Sequence, residues 1–191
     1  MGGAGLVEFG RQFFWQSQKD ALVIDVRWNS GGNTHGMLLE RLRRATTHFD
    51  KPRHFRPEPT YWRSVRGHLV ALINHDTASD GENFAHAWRH ARLGPIVGTR
   101  TWGGLVGYRG DKDLVDGGFN SQPEYAHFGW DGGWIVEGKG CDPDVEVMND
   151  PAAIASGRDP QLDRAIALAL EASDKEPRRP PEIPPYDDRS K

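Results

Sequence analysis

The stretch His68-Leu69-Val70-Ala71-Leu72-Ile73-Asn74-His75-Asp76-Thr77-Ala78-Ser79-Asp80-Gly81 decides the fold. Its first half is a continuous apolar run, the pattern of a strand covered on both faces. Its second half leaves that strand through Ala78-Ser79-Asp80-Gly81 and enters a helix. Ser79 therefore stands at a helix start, beside backbone N–H groups without an intrahelical partner and beside the positive end of the helix dipole. Both features stabilise an oxyanion, so the junction suits a nucleophilic serine. Ser79 with Glu82 three residues on is also the pattern of a capping box, which by itself has only a structural meaning.

Outward from this junction the same order recurs. Ala21-Leu22-Val23-Ile24-Asp25-Val26-Arg27 predicts a buried strand, Asn29-Ser30-Gly31-Gly32-Asn33 breaks it, and Met37 to Leu42 resumes with helical spacing. A third strand is predicted at Gly94 to Thr99, and Val7 to Gln18 carries a rough apolar helical face. Strands alternating with helices predict an α/β fold. Thr101 to Val147 is rich in glycine and aromatics, the texture of hairpins and loops around a site. Asp159-Pro160 opens an amphipathic helix that the pattern carries to Glu171, with Asp159 as cap and Pro160 as first helical residue.

The 191 residues suffice for one core, so one unit over 1–171 and a tail over 172–191 are expected. Five prolines and many charges without periodicity mark that tail as disordered. The formal charge is −3 and no run of like charge forms a nucleic-acid tract, which disfavours nucleic acid as a partner. No run approaches the length of a membrane span. The single cysteine, Cys141, excludes an intrachain disulfide and fits a reducing, cytoplasmic setting.

Three segments converge on one family: Asp25-Val26-Arg27-Trp28-Asn29-Ser30-Gly31-Gly32, Asn74-His75-Asp76-Thr77-Ala78-Ser79-Asp80-Gly81 and Gly98-Thr99-Arg100-Thr101-Trp102-Gly103-Gly104. With Gly140-Cys141-Asp142-Pro143-Asp144-Val145 and Asp159-Pro160-Gln161-Leu162-Asp163 they resemble the tail-specific serine proteases, and within them the C-terminal catalytic region of the tricorn type. The resemblance covers about residues 6–171. It implies the ClpP- or crotonase-like α/β fold, incomplete at the N-terminus, and a serine peptidase acting through an acyl-enzyme, with no metal or cofactor.

Site residues follow from the same resemblance. Ser79 matches the nucleophile, the Asp80 N–H one oxyanion donor, and Gly32 the other, with Gly31 as its neighbour. Glycine there lets a substrate carbonyl approach the main chain without meeting a Cβ. Glu137 matches the acid that orients the catalytic histidine, and Asp50 matches an acidic residue lining a pocket for a basic side chain across a subunit boundary. Peptides such as proteasome products, and a homohexamer, are the implied substrates and assembly.

The general base is the departure. Other tail-specific proteases use a lysine where this chain has Gly104, so a Ser-Lys dyad is not expected, and the histidine of the tricorn type lies upstream of this region. Of the histidines present, His35 follows the oxyanion glycines and His75 ends the strand before Ser79, which makes these two the candidates within the chain. His86 and His90, at i and i+4, lack the intervening glutamate of a zinc protease and read as a helix-face pair. A peptide-binding or assembly module without catalysis is the alternative function, and a coenzyme A enzyme of crotonase type a third.

Overall fold

The computed structural model describes residues 2–61, 63–109 and 113–186. The elements run α1 (Gly3–Gln16), β1 (Ala21–Asp25), α2 (His35–Leu42), β2 (Phe49–Asp50), β3 (Glu58–Pro59), β4 (His68–Ile73), α3 (Asp80–His90) and β5 (Ile96–Gly98). After these come β6 (Gly107–Arg109), β7 (Gln122–Tyr125), β8 (Val145–Glu146), α4 (Pro151–Ala155) and α5 (Pro160–Lys175).

Four strands form one parallel sheet in the order β1-β4-β5-β8. The register pairs Ala21 with His68 and Asp25 with Leu72, so β1 and β4 end together and their following turns emerge side by side. Strand β4 is interior, and its continuous apolar run is used on both faces. Leu69, Ala71 and Ile73 join a cluster with Phe13, Leu38, Phe84 and Trp88, while Val70 and Leu72 join Val97, Ala165 and Ala169 on the other side. Helices α2 and α3 thus cover one face and α5 the other, the layered α/β arrangement expected of the sequence. Burying one side chain such as Leu72 or Ile73 contributes about 1.5–3 kcal/mol.

Helix α3 has acidic Asp80 and Glu82 in its first turn and Arg89 and His90 in its last, charges that oppose the helix dipole at both ends. Its buried face, Phe84, Ala85 and Trp88, fixes it on the sheet, and the Trp88 indole N–H donates to the Gly94 carbonyl at 2.8 Å. Helix α5 opens as expected, the Asp159 carboxylate accepting from the Leu162 N–H at 3.1 Å ahead of Pro160. It continues to Lys175, beyond the expected end at Glu171, because Ser173 Oγ lies 2.9 Å from the Ala169 carbonyl and 3.2 Å from that of Asp20, tying the last turn to the start of β1. Residues 176–186 form neither helix nor strand, and 187–191 of the expected tail lie outside the described residues.

The glycine- and aromatic-rich segment contributes the antiparallel pair β6-β7 and isolated bridges at Asp113–Phe119 and Phe128–Trp134. It leaves Trp102, Tyr108, Phe128, Trp130 and Trp134 exposed. Among the described residues no helix is long and apolar enough to cross a membrane.

Candidate active site

The turns that follow β1 and β4 are stitched together by side chains from both. Asn74 Oδ1 accepts the Trp28 N–H at 3.0 Å, Thr77 Oγ1 lies 3.1 Å from the Val26 carbonyl, and the Ala78 N–H donates to the Asn29 carbonyl at 2.9 Å. The contact is close enough to require a glycine: a Cβ on Gly81 would stand 2.7 Å from the Asn29 carbonyl oxygen.

That stitching holds Ser79 in a conformation it would not adopt alone, with φ 50° and ψ −113°. Positive φ in a non-glycine residue costs about 1–3 kcal/mol and persists only where its surroundings over-determine it. Here the neighbouring Ala78 N–H is fixed by Asn29, and the Ser79 N–H is shared between the Gly104 carbonyl and Glu82 Oε2, each at 3.1 Å. Ser79 and Glu82 are placed as a capping box, and the Glu82 N–H also donates to the Ser79 carbonyl at 2.9 Å. Gly31, at φ 139°, lies against the Ser79 side chain: a Cβ there would be 3.3 Å from Ser79 Cβ and 3.5 Å from Oγ.

The two expected oxyanion donors come from these same turns. The Asp80 N–H is the first of α3 and has no partner within the helix. Gly32 follows Gly31 with φ 138° and lines the same groove as Ser79. The Asp80 side chain turns away from Ser79. Its buried carboxylate accepts the N–H groups of Thr34 and His35 at 2.9 and 3.1 Å, and Oδ1 meets His35 Nδ1 at 2.5 Å. Burial opposes the charge on Asp80, but the His35 ring and the Thr34 N–H together hold its carboxyl below the ordinary range. One side chain thereby fixes the chain just after Gly32 to the helix that carries the other donor.

Two glutamates hold the opposite wall. Glu82 accepts from Thr101 Oγ1 (2.6 Å), Gly103 N–H (2.7 Å) and Gly104 N–H (2.9 Å) besides Ser79. Glu137 is exposed, and its Oε2 accepts the N–H groups of Leu105 and Val106, both at 2.6 Å. Four successive amides, Gly103 to Val106, therefore end on two carboxylates. Between this wall and the glycine turn lies a groove of about 920 Å³ whose lining includes Gly31, Gly32, Ser79, Trp102, Tyr108 and Glu137.

Among the described residues no histidine lines that groove. His35 is engaged with Asp80, and His75 is exposed beside Asp76 at 3.2 Å. His86 and His90 face a separate cavity with Phe128 and Trp130, where burial and then the charges of His90 and Arg89 hold the His86 imidazolium below its ordinary pKa. Asp50 lies on β2, outside the groove, its Oδ2 3.4 Å from Thr60 Oγ1. Cys141 is no rival nucleophile, since burial pushes its thiol up to about 11.

The model of peptidase family S41 matches residues 4–147. The chain belongs to peptidase family S41. Within it, the chain is 42% identical over 185 residues to tricorn protease homolog 1 of Streptomyces coelicolor, covering 96% of this chain and 17% of that protein. It is 41% identical over 171 residues to the tricorn protease of Thermoplasma acidophilum, covering 90% of this chain and 16% of that one. A crystal structure of tricorn protease aligns with a TM-score of 0.85 at 42% identity, over 90% of this chain and 17% of the other. The resemblance read from the three sequence segments and the α/β fold it implies are both borne out. This S41 chain thus spans about a sixth of the length of these relatives.

Sequence reasoning on this S41 chain placed Ser79, Gly31, Gly32 and Glu137, which the structure gathers in one groove. It saw Glu82 only as a cap. Ser-x-x-Glu advertises a local pair, whereas the other three donors to Glu82 come from residues 101–104. The part of the Asp80 carboxylate was missed for the same reason.

Proposed function

We propose that this chain carries the nucleophile and oxyanion hole of a serine-type peptidase that hydrolyses peptides through an acyl-enzyme. The observation that carries this reading is the strained Ser79, held at the first turn of α3 with its hydroxyl against Gly31 and in one groove with Gly32 and Glu137. Ser79 Oγ attacks a peptide carbonyl and gives its proton to a histidine supplied from outside these residues. The Asp80 and Gly32 N–H groups receive the oxyanion, the peptide amine leaves with that proton, and water then releases the acyl group by the same route. Glu137, already anchored through Oε2, orients the histidine. Peptides of the kind released by proteasome-type machines are the substrate class, in a cytoplasmic homohexamer. Asp50 of one subunit serves a neighbour's pocket for basic side chains, which agrees with its place outside the groove of its own chain.

Intact-mass detection of fluorophosphonate labelling tests the reading. The complete protein should gain one adduct that Ser79→Ala abolishes, whereas this chain by itself should label and hydrolyse several orders of magnitude more slowly, since members of a triad act as a unit. Labelling that survives Ser79→Ala would overturn it. No labelling of either form would favour the second reading, a non-catalytic peptide-binding module of the same fold, which the groove's lack of a histidine among the described residues supports.

A further inference from the structure

Glu82 is fully buried, no cation among the described residues is hydrogen-bonded to it, and the proposed reaction gives its carboxylate no step. Sequestering a carboxylate from water is costly unless its oxygens are satisfied by donors, and here each oxygen has two. Oε1 takes the Thr101 hydroxyl and the Gly103 N–H, and Oε2 takes the Gly104 and Ser79 N–H groups. The Thr101 oxygen also accepts the Cys141 N–H at 2.7 Å, so the same hydroxyl links Glu82 to Cys141. The Gly104 carbonyl closes the loop by accepting the Ser79 N–H at 3.1 Å.

We propose that Glu82 is a positioning residue of the Ser79 site: its carboxylate fastens the Thr101–Gly104 wall of the groove to the Ser79 turn and so sets both the conformation of the nucleophile and the opening it faces. The inference rests on Ser79 being the nucleophile. Its physical basis is the shape of the donor set. A helix cap needs one acceptor for the Ser79 N–H, and a water or a glutamine could serve. Only a group with two acceptor oxygens, each open to two donors, satisfies Ser79, Thr101, Gly103 and Gly104 together. In Glu82→Gln the amide NH₂ must face either the Gly103 N–H or the Ser79 and Gly104 N–H groups, donor against donor, and one side of the staple opens. The glycines at 103 and 104 have no side chains to hold that wall by packing, and the other ties of the segment, Trp102 N–H to the Thr77 carbonyl, Gly138 N–H to the Gly103 carbonyl and buried Leu105, leave the Gly103 and Gly104 N–H groups with Glu82 as their acceptor.

The test compares the complete wild-type protein with Glu82→Gln by amide hydrogen exchange across residues 100–106 and by the rate of fluorophosphonate labelling at Ser79. The expected result is faster exchange confined to Gly103 or to Gly104, whichever faces the amide, with labelling slowed about 10- to 100-fold, as displacement of a reacting group by about 1 Å brings. The apparent affinity for the reagent should change less than the maximal labelling rate. A folded Glu82→Gln variant with unchanged exchange and labelling would overturn the positioning role and leave the peptidase reading intact. Slower labelling in proportion to global unfolding, with exchange raised throughout, would also overturn it, reducing Glu82 to a stability element. Absence of Ser79 labelling in the wild type would remove the nucleophile reading and the inference with it. Should Glu82→Gln fail to fold, Thr101→Val, which withdraws one donor from the same carboxylate, is read by the same two measurements: local exchange and slower labelling support the staple, and no change in either refutes it.

Discussion

The sheet and the groove wall are held in opposite ways. The sheet side of the site, β1 and β4 with α3, rests on fully buried apolar residues such as Ile73, Phe84 and Trp88. The wall across the groove, residues 101–106, has one such residue, Leu105, with Trp102 72% exposed, and is held chiefly by hydrogen bonds, among them those from its own amides to Glu82 and Glu137. A packed core resists deformation in every direction, whereas a carboxylate staple fixes position through a few directional bonds and leaves the surface between them open. The proposed nucleophile sits on the rigid side and the wall that substrate would touch on the stapled side. Rigid support is what a strained Ser79 needs, and an open wall is what a peptide needs in order to enter.

Ser79→Ala should separate chemistry from architecture most sharply. In the complete protein peptide hydrolysis should fall on the order of 10⁶-fold. The melting temperature should change little, because the bonds of the Ser79 N–H and carbonyl that fix its turn belong to the backbone and remain in alanine. Substantial residual turnover would place the nucleophile elsewhere. Glu137→Gln tests the stapled side. Its glutamine oxygen can still accept from Leu105 and Val106 while the charge proposed to orient the base is gone, so kcat should drop roughly 10²- to 10⁴-fold with KM little changed. A loss confined to KM would make Glu137 a substrate-binding group instead.

Trp88→Ala and Trp130→Ala, measured by chemical denaturation of this chain, set the two regions side by side. Trp88 is fully buried and hydrogen-bonded, and its truncation should cost about 3–5 kcal/mol. Trp130 is 98% exposed, and its truncation should stay within about 0.5 kcal/mol. Equal costs would mean that the loop is packed in solution as the core is.

How far the sequence foretold this molecule follows the same division. Strand β4 was legible because an interior parallel strand leaves a continuous apolar run, and Ser79, Gly31 and Gly32 because turns between strand and helix demand particular residue types. Helix α3 was legible from its capping residues. The staple was not, since the partners of Glu82 lie about twenty residues away and only the fold brings them together. His35 reads as a candidate base from its nearness in sequence to Gly31 and Gly32, yet Asp80, 45 residues on, takes its ring. Periodicity reports burial and local turns. It carries no information on which distant amides a carboxylate will collect.

The smallest expected effect concerns the anchor of α5 on the sheet side. Buried Arg27 pairs with Asp25 at 2.7 Å and with Asp159 at 2.8 Å. The hydrogen bond from Arg27, only partly opposed by burial, holds the Asp159 carboxyl down at about 2. An unfolded chain would bind its proton near the ordinary value of about 3.9, so between these values the unfolded state holds more protons and stability rises with pH. The contribution of Asp159 is therefore complete above about pH 5 and is lost as the pH falls through 4 towards 2. Asp159→Asn keeps an acceptor for the Leu162 N–H but cannot titrate. Thermal unfolding followed from pH 5 to pH 2.5 should show the wild type more stable at the upper end and the two converging at the lower. Curves that run parallel would show that Arg27 is held by Asp25 and Gln161 alone, and that the link between β1 and α5 owes nothing to this charge.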